Sequence, residues 1–418
     1  MTSENPTCFE KSVLSRAAIV EPLTTTPVSS AVGLWGSDDL RFLDGLRGLA
    51  ALYVMIGHAR WLLWEGYSEG YLQHPDSYSQ AGKALVYFFS IFRYGREAVL
   101  FFFVLSGFVI HLRYARKLKA EGHDAEFDWL PFIRRRARRL YPPLFAAVAL
   151  TFLLDSWGRF LGFAIYNQST PYALINVNVV PHLGLVTLAG NLAYLMETYV
   201  PVYGSNGPLW SLKFEWWFYM AYPLFWWLTR RSLALATILM VGLFVVSFQP
   251  TLWPIALLRD VFSAMLIWWL GVLLAESFVG RIQWRMPAMM VGCFCLAILL
   301  VMLVGKPLND LAVGLGFTGL LALCFELSRR NVLLIWLARL KPLGDMSYTL
   351  YVVHFPLLVF MSGWLMSRSQ RHELPTDFSW VVIGILGTMM IAFGLHFFLE
   401  RPFSARAKAQ SKIAAYDG

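Results

Sequence analysis

The sequence predicts an all-α, polytopic membrane fold. Three observations carry it. Of the 418 residues, 57% are hydrophobic and only 15% are charged. The apolar residues fall into repeated runs near the roughly 20-residue length that spans a bilayer as a helix. The Lys and Arg residues gather in alternate gaps between those runs, the pattern of cytosolic loops. About ten transmembrane helices follow, with both termini cytosolic. They form one membrane domain over residues 41–401, in a cell membrane, the cytoplasmic or inner one. The formal net charge of +9 is spread along these gaps. No compact basic domain is left for nucleic acid to dock on.

Residues 1–40 are rich in Ser, Thr, Pro and charge, and read as a disordered cytosolic tail. No basic segment leads there into an apolar stretch with a small-residue cleavage site, so no signal peptide is expected. Helix 1 is expected at 42–64. Residues 65–82 hold no Lys or Arg, which favours the outer side. Residues 84–94 are apolar but short, an interfacial or re-entrant piece. Helix 2 is expected at 95–112, where Ser106 and Gly107 allow close helix approach. Residues 113–139 carry nine cations and read as a cytosolic loop. Helix 3 follows at 140–157, with Pro142 and Pro143 near its start, where proline is tolerated.

Residues 158–182 read as an outer loop containing the sequon Asn167-Gln168-Ser169. Residues 183–199 read as a half helix. Helix 4 is expected at 208–228. Six more are expected near 233–249, 256–275, 288–304, 308–327, 346–366 and 380–399, followed by a short basic cytosolic tail at 402–418. On this topology the inner segments after helix 1 hold 21 Lys and Arg, and the outer loops hold four: Arg159, Lys306, Arg368 and Arg371. The four cysteines, Cys8, Cys293, Cys295 and Cys324, imply neither a disulfide framework nor a metal site.

Chemistry concentrates in helix 1, which carries Asp44, Arg47 and His58 inside its apolar run. Ionisable groups are costly in hydrocarbon and usually face a bundle interior or a wet cavity. Arg47 and His58 are eleven residues apart. They fall within about 20° of each other around the helix and about 16 Å apart along it. The rival reading makes Arg47 a snorkelling cation paired with Asp44, and His58 a packing histidine. An imidazole titrates near neutral pH and suits a general base on a hydroxyl. Glu215 stands among aromatics in helix 4, either functional or bound in an interhelix ion pair with Arg47 or Arg96. Lys213, two residues away, points to another face. His354 precedes a helix-kinking proline. It is either a second polar wall of the same cavity or a histidine bonded to a freed backbone carbonyl. Arg136 and Arg139 close the basic segment at the membrane face. Their guanidinium forks suit phosphate, and topogenic charge is the plainer reading.

These pieces together resemble the acyltransferase family 3 of integral-membrane O-acyltransferases. The resemblance rests on five motifs in family order. They are Leu-Asp-Gly-Leu-Arg-Gly with Arg47 and His58, Phe-Phe-Val-Leu-Ser-Gly-Phe at 102–108, and Arg136-x-x-Arg139-Leu-Tyr-Pro. The other two are Trp-Ser-Leu-x-x-Glu-x-x-Phe-Tyr at 210–219 and Ser-Tyr-x-Leu-Tyr-x-x-His-x-Pro at 347–356. Many relatives have an acidic residue where this chain has Leu100, with Glu97 nearby.

The resemblance implies transfer of an acyl group, usually from acyl-coenzyme A, to a hydroxyl of a carbohydrate, lipid-linked glycan, peptidoglycan or macrolide. A cell-surface or secreted carbohydrate is the expected acceptor, and acetyl or another short acyl group the expected cargo. His58 would deprotonate the hydroxyl, Arg47 or a nearby donor would steady the oxyanion, and Glu215 would orient a partner. Arg136, Arg139 and Ser106 are the expected donor-binding residues. Asp44, Tyr348 and His354 are further cavity candidates. No metal is expected. The segment after helix 10 is not expected to hold the extracytoplasmic esterase domain that some relatives append. A proton-coupled carrier would also use buried His, Arg and Glu, but would favour paired half-chains and broken helices. A non-catalytic scaffold would leave the membrane charges unexplained.

Overall fold

A computed structural model describes residues 40–283, 285–303, 308–329 and 334–402. The expected cytosolic tails at 1–40 and 402–418 lie outside these residues, apart from Leu40 and Pro402. The described residues form fifteen α-helices in chain order. They are α1 (Arg41–Leu62), α2 (Gln80–Ser90), α3 (Gly95–Glu121), α4 (Trp129–Phe160), α5 (Ala173–Asn178), α6 (Leu185–Leu192), α7 (Trp210–Arg231) and α8 (Leu233–Ser247). Then come α9 (Ala256–Val279), α10 (Met286–Leu303), α11 (Asn309–Arg329), α12 (Leu334–Arg339), α13 (Lys341–Asp345), α14 (Ser347–Ser367) and α15 (Ser379–Leu399). Among the described residues there is no β-strand, only two isolated bridges.

Six helical stretches are long and apolar enough to cross a membrane: α2 running into α3, then α4, α9, α11, α14 and α15. α1 and α7 have 22 residues each but carry charge along their length. α8 and α10 are apolar but shorter. Local signals set several ends. The Ser79 and Ser232 hydroxyls accept from the amides of Gly82 and Leu235 and cap α2 and α8. Gly280, at φ 80°, ends α9 in the left-handed conformation that glycine adopts without strain.

The structure corrects the reading of 113–139. This is not a loop between membrane helices. α3 continues to Glu121 and α4 begins at Trp129, leaving seven residues between them. Arg, Lys, Ala and Leu all favour helix, so charge that marks a segment as cytosolic does not unwind it. Pro142 and Pro143 are therefore inside α4, not near its start. The short 84–94 run forms α2 and a tight turn kinked at Phe92. The 183–199 run yields only the eight-residue α6.

α3 lies against α9 with backbones nearly touching. A Cβ on Gly107 would strike the Trp268 carbonyl, and one on Gly271 the Val104 carbonyl. Small residues permit this approach where no hydrophobic drive between helices exists in lipid. A polar brace ties the same pair to α7. The fully buried His111 bonds Glu276 at 2.6 Å through Nε2 and Tyr222 at 2.8 Å through Nδ1, and Arg281 reaches Glu276 at 2.7 Å. α1 packs on the 337–344 segment through Gly45 and Gly48, whose missing side chains admit the backbone of Leu337 and Gly344.

Candidate active site

α1 and α14 bring His58 and His354, 296 residues apart, into contact. His58 Nδ1 lies 2.9 Å from His354 Nε2, with the rings stacked at 5.1 Å between centroids. His354 Nδ1 lies 3.1 Å from the Leu350 carbonyl, one helical turn back. A carbonyl only accepts, so Nδ1 of neutral His354 carries the proton and its Nε2 keeps a lone pair. That lone pair accepts the proton on His58 Nδ1. The chain of bonds leaves His58 Nε2 as an unprotonated base. His354 is fully buried. The structure therefore combines both sequence readings of this residue: it bonds a backbone carbonyl and also backs the cavity histidine.

His58 lines a cavity of about 600 Å³ at the Leu62 end of α1. Its wall mixes aromatic rings, Trp61, Phe92 and Trp210 among them, with Arg60, Arg93 and Arg96. Its opposite wall is the 201–208 loop. Buried Asp155 fixes that loop by accepting from the Ser205 amide and hydroxyl, each at 2.7 Å. Asn206 donates to the Val352 carbonyl at 2.8 Å. These bonds tie an irregular segment to α4 and α14, while Asn206 Oδ1 stays buried without a partner.

A second, smaller chamber of about 60 Å³ lies toward the Arg41 end. Arg47, Arg139, Glu215, Ser347 and Tyr348 line it. Arg47 donates to the Gly344 carbonyl at 2.6 Å and to Ser347 Oγ at 2.9 Å, and pairs with Asp44 at 3.4 Å. Glu215 accepts a short hydrogen bond from the Tyr219 hydroxyl. It pairs with neither Arg47 nor Arg96; Arg96 bonds Asp310 instead, at 2.5 Å. Lys213 leaves α7 on another face and reaches Thr198 at 2.8 Å and Asp260 at 3.3 Å, as the two-residue spacing requires. Val99 and Tyr351 line both chambers and form the partition between them. The Tyr351 hydroxyl is held by Ser211 at 2.8 Å and the Pro208 carbonyl at 3.0 Å.

Residues 40–397 match Acyl_transf_3, a family described as an acyltransferase domain. The chain belongs to this family. It is also 30% identical over 189 residues to the acyltransferase MdmB of Streptomyces mycarofaciens, an alignment covering 45% of this chain and 40% of that relative. No solved structure matches the chain. Membership favours the enzyme reading over the carrier reading, in a chain whose described residues are helical and include six stretches able to cross a membrane.

Within this family member the sequence-selected residues divide into groups. His58 and His354 meet at the larger cavity. Arg47, Arg139, Glu215 and Tyr348 meet at the smaller chamber, with Asp44 behind Arg47. Arg47 and His58 share a helix face but do not touch. Arg136 sits over the rings of Phe132 and Tyr219, 5.4 and 5.2 Å from their centroids. Its buried Nε has no hydrogen-bond partner. Ser106 lines neither chamber. Its hydroxyl lies 3.3 Å from Trp268 Nε1 and 3.4 Å from the Tyr219 hydroxyl, and so buttresses the residue that bonds Glu215. Sequence reasoning missed Tyr351 and, in the cavity wall, Arg60 and Arg93; Arg96 it named only as an ion-pair partner for Glu215. The Ser-Tyr-x-Leu-Tyr motif did contain Tyr351, one helical turn before His354.

Proposed function

We propose that this acyltransferase moves a short acyl group from acyl-coenzyme A to a hydroxyl of a cell-surface or secreted carbohydrate. It does so in the cytoplasmic membrane, with ten spans and both termini in the cytosol. The observation that carries the reading is the Leu350–His354–His58 chain of hydrogen bonds, which ends on a free imidazole nitrogen at a cavity large enough for a sugar ring.

His58 Nε2 takes the proton of the acceptor hydroxyl as its oxygen attacks the thioester carbonyl. The C–O bond forms, the C–S bond breaks, and the imidazolium returns the proton to the departing thiolate. His354 supports the step by accepting from His58 Nδ1 throughout. The helix places Arg47 about 16 Å from His58 along the axis, too far to steady an oxyanion at the same carbonyl. Its role moves to the donor: Arg47, Arg139 and Glu215 line the chamber through which the thioester arm reaches the partition. Arg136 and Arg139 then hold the phosphates at the cytosolic side. With α1 running outward from Arg41, the His58 cavity opens away from the cytosol, where a surface glycan arrives.

Purified protein in nanodiscs, given acetyl-, propionyl- and butyryl-coenzyme A with a panel of glycans, tests this. Release of free coenzyme A that depends on a glycan, with the matching mass increase on that glycan, is the expected result. Glycan-independent release, or acylation of an amine instead of a hydroxyl, overturns it.

A further inference from the structure

The geometry points to an anion-docking site in the wall of the His58 cavity, made by Arg60 and Arg93, that holds a phosphate or carboxylate on the acyl acceptor. This rests on the acyl-transfer reading above and deepens it.

Arg60 follows His58 by two residues on α1 and lines the same cavity. Its buried Nε has no hydrogen-bond partner, and no carboxylate among the described residues pairs with it. Arg93, across the kink before α3, lines the cavity too. It donates to the neutral Tyr94 phenol at 2.5 Å and has no acidic partner among the described residues. Arg96 differs, since Asp310 already neutralises it. Among the described lining residues the one carboxylate is Glu197.

The guanidinium of Arg60, part-buried with an unpartnered Nε, is costly without a counter-charge, whereas Arg93 is exposed and adds a second cation at the cavity mouth. Cations at the outer end of a membrane protein also run against topogenesis. Both costs persist where a ligand supplies the counter-charge. A planar fork binds phosphate or carboxylate bidentately. His58 and Arg60 point to different faces of α1, yet both line this one cavity, so an anion held by Arg60 and a hydroxyl at His58 belong to the same bound acceptor. Trp61 and Trp210 line the same wall, with the Arg96 guanidinium 5.6 Å from the Trp210 ring centroid. The acceptor class is thus an anionic glycan, not a neutral or cationic one.

The test uses the full chain in phosphatidylcholine nanodiscs, with coenzyme A at saturation to fill the donor chamber. Inorganic pyrophosphate is the probe, followed by tryptophan fluorescence. Saturable binding is expected, weakened at least tenfold by Arg60→Gln or Arg93→Gln and less by Arg60→Lys. No binding, or equal binding by all variants, overturns the site. Nanodiscs with one-third phosphatidylglycerol separate the sources: if that lipid abolishes pyrophosphate binding, the arginines hold a headgroup and the acceptor assignment is overturned. In transfer assays with matched neutral and phosphorylated glycosides, kcat/KM favours the phosphorylated one at least tenfold, and Arg60→Gln shrinks that ratio. Equal use of both overturns the inference while leaving acyl transfer intact. Pyrophosphate binding without transfer to any glycan overturns the acyl-transfer reading instead.

Discussion

At the scale of single residues, the two histidines differ in what their loss does. His58→Ala removes the base itself, and a positioned base contributes at least ~10²-fold. Turnover is expected to fall by that factor or more, with the melting temperature in detergent nearly unchanged. His58→Gln falls equally, since an amide cannot accept the proton. Parental turnover by His58→Gln means that another group is the base. His354→Leu leaves His58 Nδ1–H without its acceptor and frees the ring to turn. A fall of about 10- to 100-fold in kcat with donor KM little changed is expected, because misplacing a catalytic group by about 1 Å costs on that order. His354→Gln returns an acceptor oxygen and recovers part of the loss; a purely packing role for His354 predicts no such recovery. Both histidines were legible as polar residues inside apolar runs. Their contact was not, because no sequence spacing relates residues 296 positions apart. Helical periodicity placed Arg47 and His58 on one face, yet the rise along the axis puts them in different chambers. Arg60 and Arg93 went unread because they stand inside or beside apolar runs, where a count of loop charges does not look.

At the scale of elements, the apolar runs located the helices, but their ends came from other physics. α3 and α4 extend through the basic segment because arginine and lysine are good helix formers and a helix does not stop at the membrane surface. The Ser106–Gly107 pair was readable as a place of close approach; its partner was not, since glycine at 271 looks no different in sequence from glycine at 292. The structure separates the two. A Cβ at 271 meets the Val104 carbonyl, whereas one at 292 meets open space. Gly271→Ala forces α3 and α9 apart and is expected to cost about 1–3 kcal/mol, the usual range for overpacking. Gly292→Ala lies in a helix with room to spare and gains helix propensity instead. Thermal unfolding of the two variants in one detergent checks this. A melting temperature for Gly271→Ala at or above that of Gly292→Ala means that the helices are not in backbone contact.

At the scale of the whole molecule, one orientation has to satisfy both charge and chemistry. On the proposed ten-span topology, the bias of 21 inner to four outer loop Lys and Arg places the turn between α3 and α4 in the cytosol. In the proposed orientation the chamber of Arg47 and Arg139 would take the donor and the cavity of His58 the acceptor, with Val99 and Tyr351 lining both. The second assignment follows from the first, because the cavity side is set by α1 running outward from Arg41. Labelling tests both at once. His123, in the α3–α4 turn, and Asn178, in the cavity wall, are each exposed. In a background with the four native cysteines changed to serine, Asn178→Cys is expected to react with a membrane-impermeant maleimide in intact cells. His123→Cys is expected to react only after permeabilisation. The opposite pattern inverts the molecule and brings the His58 cavity to the cytosol. Acyl-coenzyme A and His58 would then share one aqueous side, and the partition at Val99 and Tyr351 would have no acyl group to pass.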